Sequence, residues 1–135
     1  MTRIECMITA ARACLGTPFH HQGRQPGLGL DCIGLIVIAR RAAGYIVNDR
    51  LDYRSRPDGI SLVRAIEEHG GVPVESCRAG DILVFRYDRQ PQHVALATSE
   101  TTMIHSFAPA RYVVETTIGN YWKKRLVCIY RFSDS

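Results

Sequence analysis

Past residue 79 the chain changes character, and that change limits its fold more than any other feature. Residues 82–85, 93–97, 103–107, 112–116 and 126–132 are short runs rich in β-branched and aromatic side chains. The turns between them are too short for the crossover helices that parallel neighbours require. Before residue 79, apolar residues recur at helical spacing instead. Helices first and strands second describe an α+β domain, with N-terminal helices packed on an antiparallel sheet. A chain of 135 residues suits a single domain over 1–135 and buries about two-thirds of its unfolded surface. It needs neither disulfide nor metal to fold.

The opening helix is marked by Thr2 and Glu5, a T-x-x-E capping box, and by Ile4, Met7, Ile8, Ala11, Cys14 and Leu15 at helical spacing. Gly16 and Pro18 stop it. Cys6 and Cys14 fit this helix as small hydrophobes. Residues 19–30 are a loop with Pro26, Gly27 and Gly29. Asp31 is placed to cap the most apolar run in the chain, which Gly44 closes. Ile36, Val37 and Ile38 would also suit a strand, but the length of the run and its Arg40, Arg41, Ala42, Ala43 ending favour a helix over 32–43. Residues 45–60 look irregular, with a turn at Pro57, Asp58 and Gly59, and 61–69 form a short helix ending at Gly70 and Gly71.

The formal net charge of +4 is scattered, and no aromatics interleave with basic residues, so nucleic acid is not expected as a partner. Five cysteines (Cys6, Cys14, Cys32, Cys77, Cys128) make no CxxC or CxxH pair, and neither a metal nor a cofactor is expected. The start lacks the apolar run of a secretory leader, and no stretch approaches the ~20 apolar residues of a membrane span. The expectation is synthesis in the cytoplasm with reduced thiols.

Cys32 stands apart from the other cysteines because it follows the Asp31 cap. Unpartnered N–H groups and the positive end of the helix dipole converge there, which should favour the thiolate and can stabilise an oxyanion. A buried inert thiol is the competing reading. A nucleophile needs a base, and of five histidines His93 and His105 are the most informative. They flank a predicted hairpin turning near Ser99. With an odd loop centred on Ser99 they would face each other on one side of the sheet, whereas an even loop would put them on opposite faces unless a bulge corrects it. One ring can then take a proton while the other fixes its tautomer. Cys32, His93 and His105 could instead hold zinc, though a helix-start cysteine better suits a nucleophile. His20 and His21, in the loop before Cys32, either line a substrate cleft or are simply solvated. His69 reads as a surface or capping residue.

Five motifs in order carry a resemblance: residues 15–22 (Leu-Gly-Thr-Pro-Phe-His-His-Gln), 30–35 (Leu-Asp-Cys-Ile-Gly-Leu), 79–85 (Ala-Gly-Asp-Ile-Leu-Val-Phe), 92–95 (Gln-His-Val-Ala) and 104–107 (Ile-His-Ser-Phe). Together they resemble the NlpC-type cell-wall peptidases. The His-Gln pair, the Asp-Cys-x-Gly-Leu form and the closing Tyr121, Trp122, Lys123 segment look most like the phage-tail and gene-transfer-agent branch. The resemblance implies a papain-like fold and hydrolysis of peptidoglycan stem peptides, typically between γ-D-glutamate and diaminopimelate or lysine. Carried over by position, Cys32 is nucleophile, His93 base and His105 the orienting third residue. Phe19, His20, His21 and Asp31 are expected to line the substrate site. Gly80 and Asp81 match a structural turn leading into a strand.

Two positions depart from the common pattern. Phe19 stands where most members have a tyrosine whose hydroxyl lies near the nucleophile, and Ile33 stands where most have serine, although the phage branch is often apolar there. The branch implies tail proteins as partners and a virion- or tail-associated protein acting at the wall. A non-catalytic tail or wall-binding module, and a related amidase or acyltransferase, are the alternatives.

Overall fold

The computed structural model describes residues 1–49, 59–87 and 90–132. Thr2 starts α1 (Arg3–Ala13) by accepting the Glu5 N–H on its hydroxyl oxygen at 3.1 Å. Gly16, at φ +83°, turns the chain away. Two short strands, β1 (Arg24–Gln25) and β2 (Gly29–Leu30), pair antiparallel and lead into α2 (Cys32–Ala42). The apolar run is therefore a helix and not a strand. Its one deeply buried cation, Arg40, lies between the rings of Tyr45 and Phe132, at 4.0 and 3.7 Å. Of the turn expected at residues 57–59, Pro57 and Asp58 lie outside the described residues, and Gly59 opens α3 (Gly59–Glu68).

Six strands follow: β3 (Gly71–Val74), β4 (Ile82–Tyr87), β5 (Gln90–Ala97), β6 (Thr102–Ser106), β7 (Val113–Thr117) and β8 (Leu126–Phe132). They form one antiparallel sheet in the order β3-β8-β4-β5-β6-β7. All five expected strand runs are in it. β3 was not anticipated, because Pro73 and the flanking glycines read as a loop. It is an edge strand, where proline is tolerated. A four-residue helix, α4 (Asn120–Lys123), also escaped notice because it is too short for a periodic pattern.

Alternation along the strands builds two apolar layers. Ile82, Val84, Val94, Leu96, Ile104, Tyr130 and Phe132 face α1 and α2, packing with Met7, Ala11, Leu35 and Ala39. Leu83, Phe85, Ala95, Ala97, Met103 and Ile129 face the other way, towards Ile118 and Trp122. Before β4, Gly80 takes φ +92°, which glycine alone adopts freely. Asp81 then accepts the Arg78 N–H and a two-pronged bond from Arg131 at 2.8 and 2.9 Å. The Gly80–Asp81 turn is structural, as its sequence suggested.

Among the described residues no helix is long and apolar enough to cross a membrane.

Candidate active site

The start of α2 is held by Asp31. Its Oδ1 accepts the Gly34 N–H at 2.7 Å and an Arg24 N–H at 3.0 Å, and its Oδ2 accepts the Gln22 N–H at 2.9 Å. Arg24 in turn donates to both oxygens of Asp49. Asp31 is only 4% exposed. Its oxygens hold the loop and the helix together. Gly34 is dictated by the same crowding, since a Cβ there would run into the Gly23 carbonyl oxygen.

With the Gly34 N–H taken by Asp31, the N–H groups of Ile33 and Cys32 remain at the helix start. They and the Val94 N–H on β5 are the backbone groups that favour the Cys32 thiolate. They do not prevail. Burial, reinforced by the Asp31 charge, pushes the thiol up to about 12. The expected drop below the free value is therefore overturned, because Cys32 is only 9% exposed and the charge that acts on it, that of Asp31, is negative. Cys32 rests as a neutral thiol.

His93 and His105 come together as the sequence suggested, but on a different register. β5 and β6 pair Leu96 with Ile104 and Ala97 with Met103, so paired positions sum to 200 and the turn centres on Glu100. The Thr98 and Thr102 hydroxyls tie that turn at 2.8 Å. The two histidines share a face as diagonal neighbours instead of standing directly opposite, a separation that long side chains bridge. His93 Nε2 and His105 Nδ1 are 2.7 Å apart in a buried hydrogen bond. Burial lowers His93 well below its ordinary value, with the His105 charge adding to the effect, and burial brings His105 to about 4. Both rings rest neutral.

Aromatic rings enclose the pair. Trp122 stacks on His93 at 5.4 Å and stands perpendicular to His105 at 5.0 Å, while Phe107 stacks on His105 at 5.3 Å. Tyr87 lies 5.8 Å from His93. Burial, and then repulsion from Cys32 once its thiol is ionised, raise its phenol above the ordinary value. His105 Nε2 is buried without a hydrogen-bond partner.

Among the described residues no three His, Cys, Asp or Glu side chains converge on a metal position, so Cys32, His93 and His105 are not laid out as a zinc set. Phe19 and His20 lie beside the segment that leads to Cys32. Phe19 bridges Leu30, the His20 N–H donates to the Leu30 carbonyl, and His20 Nδ1 bonds the His21 carbonyl oxygen. Both His20 and the half-buried Phe19 and His21 are open to solvent to some degree. His69 is structural, bonding the Ala65 carbonyl through Nδ1 and accepting the Asn48 N–H on Nε2.

Three further residues shape the site. Ser106, fully buried, donates to the Leu30 carbonyl at 2.6 Å and so ties β6 to the approach to Cys32. Its place directly after His105 was the available signal. Trp122 was legible only as part of a closing motif, and Arg24 gave no signal, since its two acid partners are far apart in sequence. A separate cavity of about 280 Å³, lined by Cys77, Leu83, Ile118, Lys123, Leu126 and Ile129, lies under the second apolar layer and away from Cys32.

A cysteine at the start of a helix packed on an antiparallel sheet, with a bonded histidine pair on the adjoining strands, defines a papain-like α+β domain. The NlpC/P60 family profile matches residues 16–131, and the chain belongs to that family. Among solved structures it resembles an NlpC/P60 family protein from Bacillus cereus (23% identity, TM-score 0.73), covering 96% of this chain and 40% of that one. It also resembles the peptidoglycan hydrolase RipB of Mycobacterium tuberculosis (19%, 0.70, 96% and 64%). A third is RipD of the same organism, described as a non-catalytic NlpC/p60 domain protein adapted to peptidoglycan binding (17%, 0.69, 98% of each). The chain thus spans about two-fifths of the B. cereus protein's length. Identities this low establish a shared fold. No curated protein matches the chain.

Proposed function

We propose that this protein is a cysteine peptidase that hydrolyses peptide bonds in peptidoglycan stem peptides, of the γ-D-glutamyl to diaminopimelate or lysine type. The observation that carries this reading is the bond between His93 Nε2 and His105 Nδ1. It leaves His93 Nδ1 for the thiol, while the residue after His93 presents its N–H to Cys32. Because thiol and imidazole both rest neutral, the chemistry is general-base catalysis and not attack by a preformed thiolate. Substrate fills the site and His93 takes the Cys32 proton as sulfur bonds to the carbonyl carbon. The Cys32 and Ile33 N–H groups stabilise the resulting oxyanion, and His93 returns the proton to the leaving amine. Water, activated by His93, then releases the acyl-enzyme.

Phe19, His20 and His21 border the segment before Cys32 and are the proposed substrate contacts. The Asp-Cys-x-Gly-Leu form and the His21-Gln22 pair support placement with phage or gene-transfer-agent tail proteins, in a protein that acts at the wall. The test is digestion of defined peptidoglycan fragments followed by mass analysis. The parent should release stem-peptide fragments and Cys32→Ala none, with unchanged circular dichroism. An alanine variant that cuts as well as the parent removes Cys32 from the chemistry.

A second reading, a wall-binding module that no longer cuts, is favoured by the deep burial of Cys32 and by Phe19 in place of a hydroxyl. It requires peptidoglycan binding by both parent and Cys32→Ala, with fragments from neither.

A further inference from the structure

When both imidazoles are neutral, His93 and His105 carry two ring hydrogens between them. One lies in the 2.7 Å bond from Nε2 of His93 to Nδ1 of His105. The other sits on His105 Nε2 or on His93 Nδ1. Only the first placement leaves His93 Nδ1 with the lone pair that can accept a thiol proton.

His105 Nε2 has no hydrogen-bond partner, so weaker contacts decide between the two placements. Its surroundings are aromatic: Phe107 covers the ring, and Trp122 stands at 87° to it with centroids 5.0 Å apart. An N–H directed at an aromatic face is attracted, whereas a lone pair directed there meets the negative face and is repelled. Trp122 also lies 27° from parallel with His93, at 5.4 Å. In that position a charge arriving on His93 is stabilised by the indole.

We infer that Trp122 is a positioning residue: its ring receives the His105 Nε2–H, which keeps His93 Nδ1 unprotonated, and its stacking on His93 stabilises the imidazolium once that nitrogen is protonated. In the step concerned, the Cys32 S–H bond breaks and sulfur keeps the electron pair. The proton bonds to His93 Nδ1, and His93 Nε2–H continues to donate to His105 Nδ1. This role rests on the proposed pairing of Cys32 with His93, so the test includes readouts that need no peptidoglycan.

Nitrogen-15 spectra of the imidazoles near pH 7.5 should show Nε2 protonated and Nδ1 bare in both rings of the parent. In Trp122→Leu, His93 Nδ1–H should gain population, and carbamidomethylation of Cys32 by iodoacetamide, followed by peptide mass analysis, should slow about 2- to 30-fold. Trp122→Phe, which keeps an aromatic face, should hold the parental tautomer. Trp122→Met replaces Trp122→Leu if leucine does not fold. A parent protonated on His93 Nδ1 overturns the inference, as does a non-aromatic variant that matches the parent in both readouts. If tautomer and alkylation respond as stated while the parent releases no wall fragments, the hydrolytic reading fails and the positioning role stands.

Discussion

Gly34 sits in the first turn of α2, where alanine ought to help, since replacing glycine in a helix gains about 1 kcal/mol. Here the sign reverses. A Cβ on Gly34 would collide with the Gly23 carbonyl oxygen and lie 3.0 Å from Arg24 Nη1 and 3.2 Å from Asp31 Oδ1. The carbonyl belongs to backbone that leads into β1, and the Gly23 N–H is itself bonded to the His20 carbonyl, so the obstacle cannot swing aside as a side chain would. Overpacking of this kind costs about 1–3 kcal/mol. Straining the Asp31 cap, which bonds the Gly34 N–H at 2.7 Å, costs about 1 kcal/mol more. Against the helical gain, Gly34→Ala should lose about 2 kcal/mol. In a 135-residue chain that is a fall of about 7 °C in Tm. Urea unfolding followed by Trp122 fluorescence measures the loss, with an unchanged m-value showing that it lies in the native state. Alkylation of Cys32 reports the accompanying shift of the helix start. A variant as stable as the parent, or stabilised by the ordinary 1 kcal/mol, refutes the packing described around Asp31.

Ser106→Ala removes a buried 2.6 Å bond to the Leu30 carbonyl and should cost about 1–3 kcal/mol. An unchanged urea midpoint would show that the bond contributes nothing. Stability should also depend on pH through the histidine pair. His105 folds with its value held down to about 4, and His93 well below the ordinary range, so below the unfolded value of about 6.5 the unfolded chain binds protons that the folded chain excludes. Stability is complete above about pH 6.5 and declines as pH falls towards 4, by about 3 kcal/mol from His105 alone. Urea midpoints that stay flat from pH 7 to 4.5 would contradict this, and His105→Asn should flatten the slope.

The parts of the fold that were legible in sequence are those set by local pattern. The 3.6-residue spacing around Met7 and Ala11, the Asp31 cap and the alternation through Val94 and Leu96 each announce their element within a dozen residues. β3 did not, because Pro73 argues against a strand until its place at the sheet edge is known. The histidine pair was legible in parity but not in register. Both a centre at Ser99 and one at Glu100 put the two rings on one face, and the hydroxyls of Thr98 and Thr102 select the second. The resting state of Cys32 was misjudged because helix-start N–H groups are visible in sequence whereas burial is not. The roles of Ser106, Arg24 and Trp122 depend on contacts across 76 residues, across a loop and across the sheet respectively, distances over which residue type carries no signal.

The β5–β6 turn also separates what relatives of this chain can change from what they cannot. A residue added between Thr98 and Thr102 raises by one both the sum of paired positions, now 200, and the number of the second histidine, so the two rings keep one face. A slip of one strand past the other by a single residue is different, because it sends His105 through the sheet into the layer occupied by Leu96 and Ile104. Insertions and deletions at this tip should therefore survive in odd or even steps wherever the Leu96–Ile104 and Ala97–Met103 pairs are kept. The tip is free in length, and the pairing behind it is not.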